Sequence, residues 1–260
     1  MPNNDYNKTI DATETFRKMI VHGNLKGMIS EDILLKLYND MHKNDGANDS
    51  DGNDKKGKNK SVFSKKSISR IPIRRAILAL EIEGFLRVFA KKGTLVVTPN
   101  QEDIIDAKDC FLDILMKSFS TRYTKKNHDK LKEIVCEMKK HSSYFQDIKD
   151  MKIAENYDET QQHKNVILDQ AEKFFIELLQ SDLKTKIFKQ VFTTMRMGGI
   201  HSVDYVALAD NFQKIADTVD KEGKTSSIIG MKAFKEILGQ LVGQEAATAY
   251  FKSAPFVARV

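Results

Sequence analysis

Between Ser67 and Pro99 the spacing of apolar residues changes twice. Ile73, Ala76, Ile77 and Leu80 recur at i, i+3, i+4 and i+7, which places them on one face of a helix that Ser69 can cap and Gly84 ends. Pro72 falls within the first turn, where a missing N–H costs nothing. The segments FLRVFA and TLVVT then alternate or run apolar around KKG, the pattern of a two-stranded hairpin. Upstream, TETFRKMIVHGNLKGMISEDILLKLYNDM reads as two short helices. Phe16, Met19 and Ile20 carry the apolar face of the first, and Ile33, Leu34 and Leu37 that of the second. Gly23 and Gly27 bracket the turn between them. Ser30 stands at the second helix's N-cap, with Glu31 and Asp32 in its first turn.

After Asn100 the period-2 signal disappears. Six amphipathic segments follow, beginning with DAKDCFLDILMKSF and ending with SIIGMKAFKEILGQLV, and no proline intervenes until Pro255. The expected fold class is therefore mainly α. An N-terminal unit of three helices and a β-hairpin wing, the element order of a winged helix-turn-helix, precedes an all-α bundle of six or seven helices. The expected domain bounds are 10–98 and 101–252. Positions from about 42 to 62, rich in Asn, Asp, Gly and Lys and nearly free of apolar residues, read as a flexible insert in the first domain.

Charge sharpens this division. The first hundred of the 260 residues hold 18 Lys/Arg against 12 Asp/Glu, whereas the rest hold 24 of each, so the whole net charge of +6 lies in the N-terminal domain. From Lys55 to Lys92, twelve basic residues face only Glu81 and Glu83. A basic module beside a neutral one points to a polyanionic partner. No apolar run is long enough for a membrane span. The first residues, MPNNDYNKTIDATE, have neither the basic nor the apolar region of a secretory leader. Cys110 and Cys136 have no metal-ligand spacing between them, so a reducing, cytoplasmic setting is expected.

The chemistry concentrates where the charge does. Arg70 and Arg74, four apart, share a face opposite the Ile73/Ile77/Leu80 stripe. A helix that buries one side and turns two guanidiniums outward suits the major groove, where arginine bonds guanine O6 and N7 bidentately. Lys91 and Lys92 at the hairpin tip are placed to follow the phosphate backbone or the adjacent minor groove. The aspartates of the insert do not form a calcium loop. With Gly52 at the sixth position, Ala47 takes the first ligand position and no glutamate occupies the twelfth. There is no Gly-rich phosphate loop, no Gly-x-Ser-x-Gly and no nucleophile paired with a base, so no enzymatic activity is expected.

The stretch SRIPIRRAILALEIEGFLRVFAKKGTLVV resembles the GntR-type regulator pattern. That pattern has a Ser-Arg-x-Pro-Val-Arg helix start, a Leu-Glu-x-Glu-Gly turn and a Gly-Thr-bearing wing. HGNLKGMISEDILLKL is similar to the family's Gly-x-Leu-x-Pro-Gly approach to its second helix, with Lys26 where proline is usual. The resemblance implies a winged-helix DNA-binding domain in a homodimer that reads an inverted repeat in double-stranded DNA. The implied contact residues are Ser69, Arg70, Ile71, Pro72 and Arg74, with Lys91, Lys92 and Gly93 in the wing. Two features depart from the pattern: the insert falls inside the turn of the helix-turn-helix, and Asp32 stands where many members place a base that contacts phosphate.

The helical remainder is similar to the FadR-type effector domain. That likeness implies a bundle that binds a small carboxylate or related metabolite, often on a divalent metal held by one Asp and three His. Glu159 and His163 match the family's Asp-x-x-x-His pair, with Glu for Asp. The places of the other two histidines fall near Phe212 and Phe234, and His201 is the only further downstream histidine. The pair is then either an ordinary Glu/His pair or the remainder of an altered metal site. The expected function is a sequence-specific transcriptional regulator, a repressor in the first instance, modulated by an effector. The alternatives are a DNA-binding protein whose bundle only dimerises or binds protein, and a non-specific nucleic-acid binder.

Overall fold

Most apolar positions that recur every three or four residues are buried; Ile33, expected on the apolar face of the second helix, is instead exposed, and Leu34 and Tyr38 are the residues that helix buries. The computed structural model describes residues 4–44, 69–122, 128–150, 156–179, 181–198, 200, 203–222 and 228–253, and divides into units Met1–Thr98 and Pro99–Val260. The insert expected at about 42–62 lies outside the described residues from position 45 onward. So does His201.

In the first unit, α1 (Asn4–Val21) packs against α3 (Arg70–Ile82), while α2 (Glu31–Asn44) lies alongside α3. α1 begins ahead of the expected domain start near residue 10. Phe16, Ile73, Ala76 and Leu80 are wholly buried, and Leu34, Tyr38 and Ile77 nearly so. Phe16 meets Tyr38 edge-on at 6.2 Å. Arg17 on α1 is almost fully enclosed. Its Nη1 lies 2.6 Å and its Nη2 3.0 Å from the two carboxylate oxygens of Glu83, which ties α1 to the far end of α3.

That far end sets the rest of the unit. The N–H of Gly84 donates to Glu81 O and that of Phe85 to Leu80 O, in the paired pattern of a Schellman stop with Gly84 at φ 84°. Phe85 and Leu80 are both buried, so the stop also turns the chain back into the core. The next residues form β2 (Leu86–Phe89), which pairs with β3 (Gly93–Val96) as expected.

The hairpin is not alone, however. Met28–Ile29 forms a short strand, β1, antiparallel to β3, giving a three-stranded sheet in the order β1-β3-β2. A two-residue strand has no periodicity to read, and only its pairing with Thr94 and Leu95 defines it. It also explains Gly93, where φ is 119° and an added Cβ would lie 2.8 Å from Ile29 O.

The second unit contains α4 (Gln101–Arg122), α5 (His128–Lys149), α6 (Tyr157–Leu179), α7 (Asp182–Met197), α8 (Tyr205–Glu222), α9 (Ile228–Val242) and α10 (Gln244–Ser253). Among the described residues, it holds no strand. Polar side chains start these helices. Asn100 and Asp103 each accept the other's backbone N–H at 2.9 Å, and Asp204 Oδ1 accepts from the N–H groups of Val206 and Ala207. α5 packs on α6 and α8, α8 on α9, and α4 on α7. The centre is a phenylalanine cluster. Phe175 lies 5.6 Å from both Phe111 and Phe212 and 6.5 Å from Phe234, while Phe111 stacks on Phe188 and Phe192. Among the described residues, no helix is long and apolar enough to cross a membrane.

The glycine before the hairpin and the one at its tip should respond differently to substitution. Gly84→Ala meets no atom within 4 Å, so its cost is the left-handed backbone alone, about 1 kcal/mol. Gly93→Ala should cost clearly more, because β1 must also move away from β3. Urea unfolding followed by exchange of the α1 and α3 amides checks that order.

Candidate nucleic-acid interface

Packing divides α3 into two sides. Pro72, Ile73, Ala76, Ile77 and Leu80 are buried, whereas Ser69, Arg70, Ile71, Arg74, Arg75 and Leu78 are exposed. Pro72, expected among the contacts, lies on the buried side, where its ring fixes the first turn. Ser69 does occupy the N-cap position, with extended φ −69° and ψ 160°, but its hydroxyl makes no capping bond. The cap expected from the sequence is thus present as a backbone conformation only.

Arg70 and Arg74 face outward, yet each meets a carboxylate. Arg70 Nη2 lies 2.9 Å from Asp32 Oδ1, and Arg74 Nε donates to both oxygens of Glu31 at 2.9 Å. The bond to Glu31, reinforced by its charge, holds the Arg74 guanidinium even more firmly protonated than usual. Both arginine side chains remain more than half exposed, so solvent screens these pairs. These partners lie across the turn of the helix-turn-helix, about forty positions away in sequence. No local pattern announces them.

Beside α3 the hairpin closes a groove of about 550 Å³, lined by Glu31, Arg74, Leu78, Glu81, Phe89 and Lys91 among others. Glu81 Oε1 accepts the backbone N–H of Val88 at 2.8 Å, which holds the hairpin to the helix. At the tip the N–H of Lys92 donates to Phe89 O, and Lys91 sits in the left-handed region at φ 61°. Both lysines are exposed, and both line the groove with Gly93 and Arg74. Arg74, Lys91, Lys92 and Gly93 are thereby brought to one concave surface, with Ser69, Arg70 and Ile71 at the adjoining end of α3. Charge-based reasoning passed over the apolar part of this face. Leu78, Val88 and Phe89 are exposed within it.

In the helical unit, Glu159 is exposed on α6 and His163 is half-buried. Glu159 acts on His163 through its charge, but another residue stands in ring contact with it. It is His141 of α5, whose Nδ1 lies 3.0 Å from that of His163. The His163 ring also stacks on Tyr144 at 4.2 Å and 6°. His141 turns its other nitrogen toward Glu137, at 3.4 Å. Among the described residues, no group of three or more His, Cys, Asp or Glu is placed to hold a metal ion. Phe212 and Phe234 are wholly buried in the aromatic cluster. Burial first, and then the neighbouring His141, push the His163 imidazole below its ordinary range.

That depression has a sign. The unfolded chain protonates His163 before the folded one does. Stability should therefore be complete above about pH 6.5 and fall as the pH drops through it. His163→Phe keeps the stacking on Tyr144 and should reduce that acid-side loss, read as melting temperature from about pH 7.5 to 5.5.

No family model matches this sequence, and no curated protein matches it. Among solved structures, Lar, which controls the expression of the Listeria monocytogenes agr system and mediates virulence, is 15% identical. The alignment covers 96% of this chain and 98% of Lar, at a TM-score of 0.42. A GntR-family transcriptional regulator from Pseudomonas syringae pv. tomato is 14% identical, covering 96% and 89%, at a TM-score of 0.28. Neither superposes closely enough to bear on the fold. E. coli McbR/YncC does, with a TM-score of 0.61 at 11% identity over 96% of this chain and 100% of that one. At that identity the likeness is one of architecture: this chain has the fold of E. coli McbR/YncC.

Proposed function

We propose that this chain is a transcriptional regulator of the GntR type with a FadR-like helical domain, and that it binds double-stranded DNA through α3 and the hairpin. The observation that carries this reading is the convergence of Arg74, Lys91 and Lys92 on one groove between a helix and a wing. Arg70 extends the same helix face. The fold shared with McbR/YncC and the motif likeness to GntR-type regulators support it. In this reading the arginines bond base edges while the lysines meet phosphate. A homodimer presents two such helices to half-sites about one DNA turn apart. A small molecule bound in the bundle changes that spacing by favouring one arrangement of the two copies, and the regulator represses in its DNA-bound state.

A second reading keeps the DNA-binding unit but makes the bundle a dimerisation module without an effector. It is favoured by the bundle's centre, where Phe212 and Phe234 fill space beside Phe174 and Phe175. A melting screen against metabolite carboxylates, with metal analysis of the purified chain, separates the two readings.

The test of DNA reading is selection of bound duplexes from a random pool, which should return an inverted repeat. Arg74→Ala should then lose about ten- to a hundredfold in affinity for the selected site and little for scrambled duplex. Lys91→Ala should weaken both alike and reduce the salt slope by about one. An Arg70→Ala/Arg74→Ala double variant that still binds the selected site as the wild type does would refute the assignment of α3.

A further inference from the structure

The face proposed to meet DNA also carries acidic residues. Ser30 caps α2, its Oγ accepting the N–H of Ile33 at 3.3 Å, so the helix begins at Glu31. Both first-turn carboxylates suit the positive end of the helix dipole. They are not spent on that end alone, for Asp32 reaches Arg70 and Glu31 reaches Arg74 on α3. Such exposed pairs add little to stability. Leu34, Tyr38, Ile73 and Ile77 already bury the sides of α2 and α3. The pairs are poor staples, then, but they stand where a duplex would lie.

The two pairs also differ in geometry. Glu31 grips Arg74 by Nε alone, and among the described residues the terminal nitrogens of Arg74 make no bond. Those terminal nitrogens are among the donors that guanine O6 and N7 accept. Asp32 instead holds a terminal nitrogen of Arg70, so Arg70 must leave it to make a two-pronged contact.

We propose that Glu31 and Asp32 are the specificity-determining residues of duplex recognition, Glu31 by orienting the Arg74 fork and both by penalising duplexes that offer the arginines no bases. This inference rests on the DNA-reading function proposed above. The physical basis is a difference of affinities. Binding to arbitrary duplex grows with the number of phosphates neutralised, and here two guanidiniums arrive already neutralised. Each carboxylate also repels phosphate. Only a site whose bases replace the carboxylate bonds recovers what any duplex loses, which is discrimination by penalising the wrong partner.

The experiment uses the full chain. A duplex is first selected with the wild type, and its affinity and that of a scrambled duplex are then measured across salt for Glu31→Gln, Asp32→Asn and the double variant. Melting temperatures near wild type establish folding. Each single variant should tighten scrambled binding about fivefold at 0.1 M salt and steepen its salt slope by about one. The selected-to-scrambled ratio should fall about tenfold in the double variant. Reselection with Glu31→Gln should relax the base preference at one position, and that change should vanish when Arg74 is already Ala. Folded variants that keep the wild-type ratio and base preference sink this inference and leave the DNA-reading function standing. A wild type that selects no sequence overturns both.

Discussion

A helix can bury only one side, and for α3 that side is spent on Ile73, Ala76, Ile77 and Leu80. Everything the opposite side can do follows from that commitment. With the aliphatic stripe held against α1, Arg70 and Arg74 have no route inward and stand in solvent. The same burial fixes where the helix ends, because Leu80 and Phe85 meet across the Gly84 stop. The hairpin therefore leaves the helix at a defined angle, and the Glu81–Val88 bond holds it there. The groove is a by-product of helix termination as much as of the sheet.

Electrostatics then works on a surface whose shape is already set. The face is not simply basic. Arg70, Arg74, Lys91 and Lys92 share it with Glu31, Asp32 and Glu81. Counted along the chain, the region from Lys55 to Lys92 is strongly positive. In space, two carboxylates from before the insert fold back onto its most useful cations. Because those pairs are exposed, a base edge that bonds the guanidinium can replace the carboxylate. The helical unit makes the opposite choice. Its centre is buried and aromatic, and its polar chemistry sits to one side, where His163 stacks on Tyr144 and meets His141.

Much of this was legible in the residues. α3, its stop at Gly84, the hairpin, Ser30 as a cap and the change to an all-helical second unit all depend on spacing within a few positions, and spacing is what a sequence displays. Four features were not. β1 is too short to have a period. Ser69 has a capping residue's identity but uses only its backbone. Pro72 joins Ile73 on the buried side, although Ile71 before it is exposed. His163 meets His141 as well as Glu159, because packing α5 on α6 juxtaposes residues that are far apart in the chain.

By itself the sequence determined the helices, most of their buried faces, the turn at Gly84 and the confinement of the net positive charge to the first hundred residues. Each is a local property: a few neighbouring side chains decide which side of an element avoids water. Only the tertiary structure decided which charges meet. Arg74 and Glu31 are 43 positions apart, and the close approach that joins them is set by packing α2 against α3. An ion pair depends on distance through space, and distance through space is what the core, assembled from all its pieces at once, establishes.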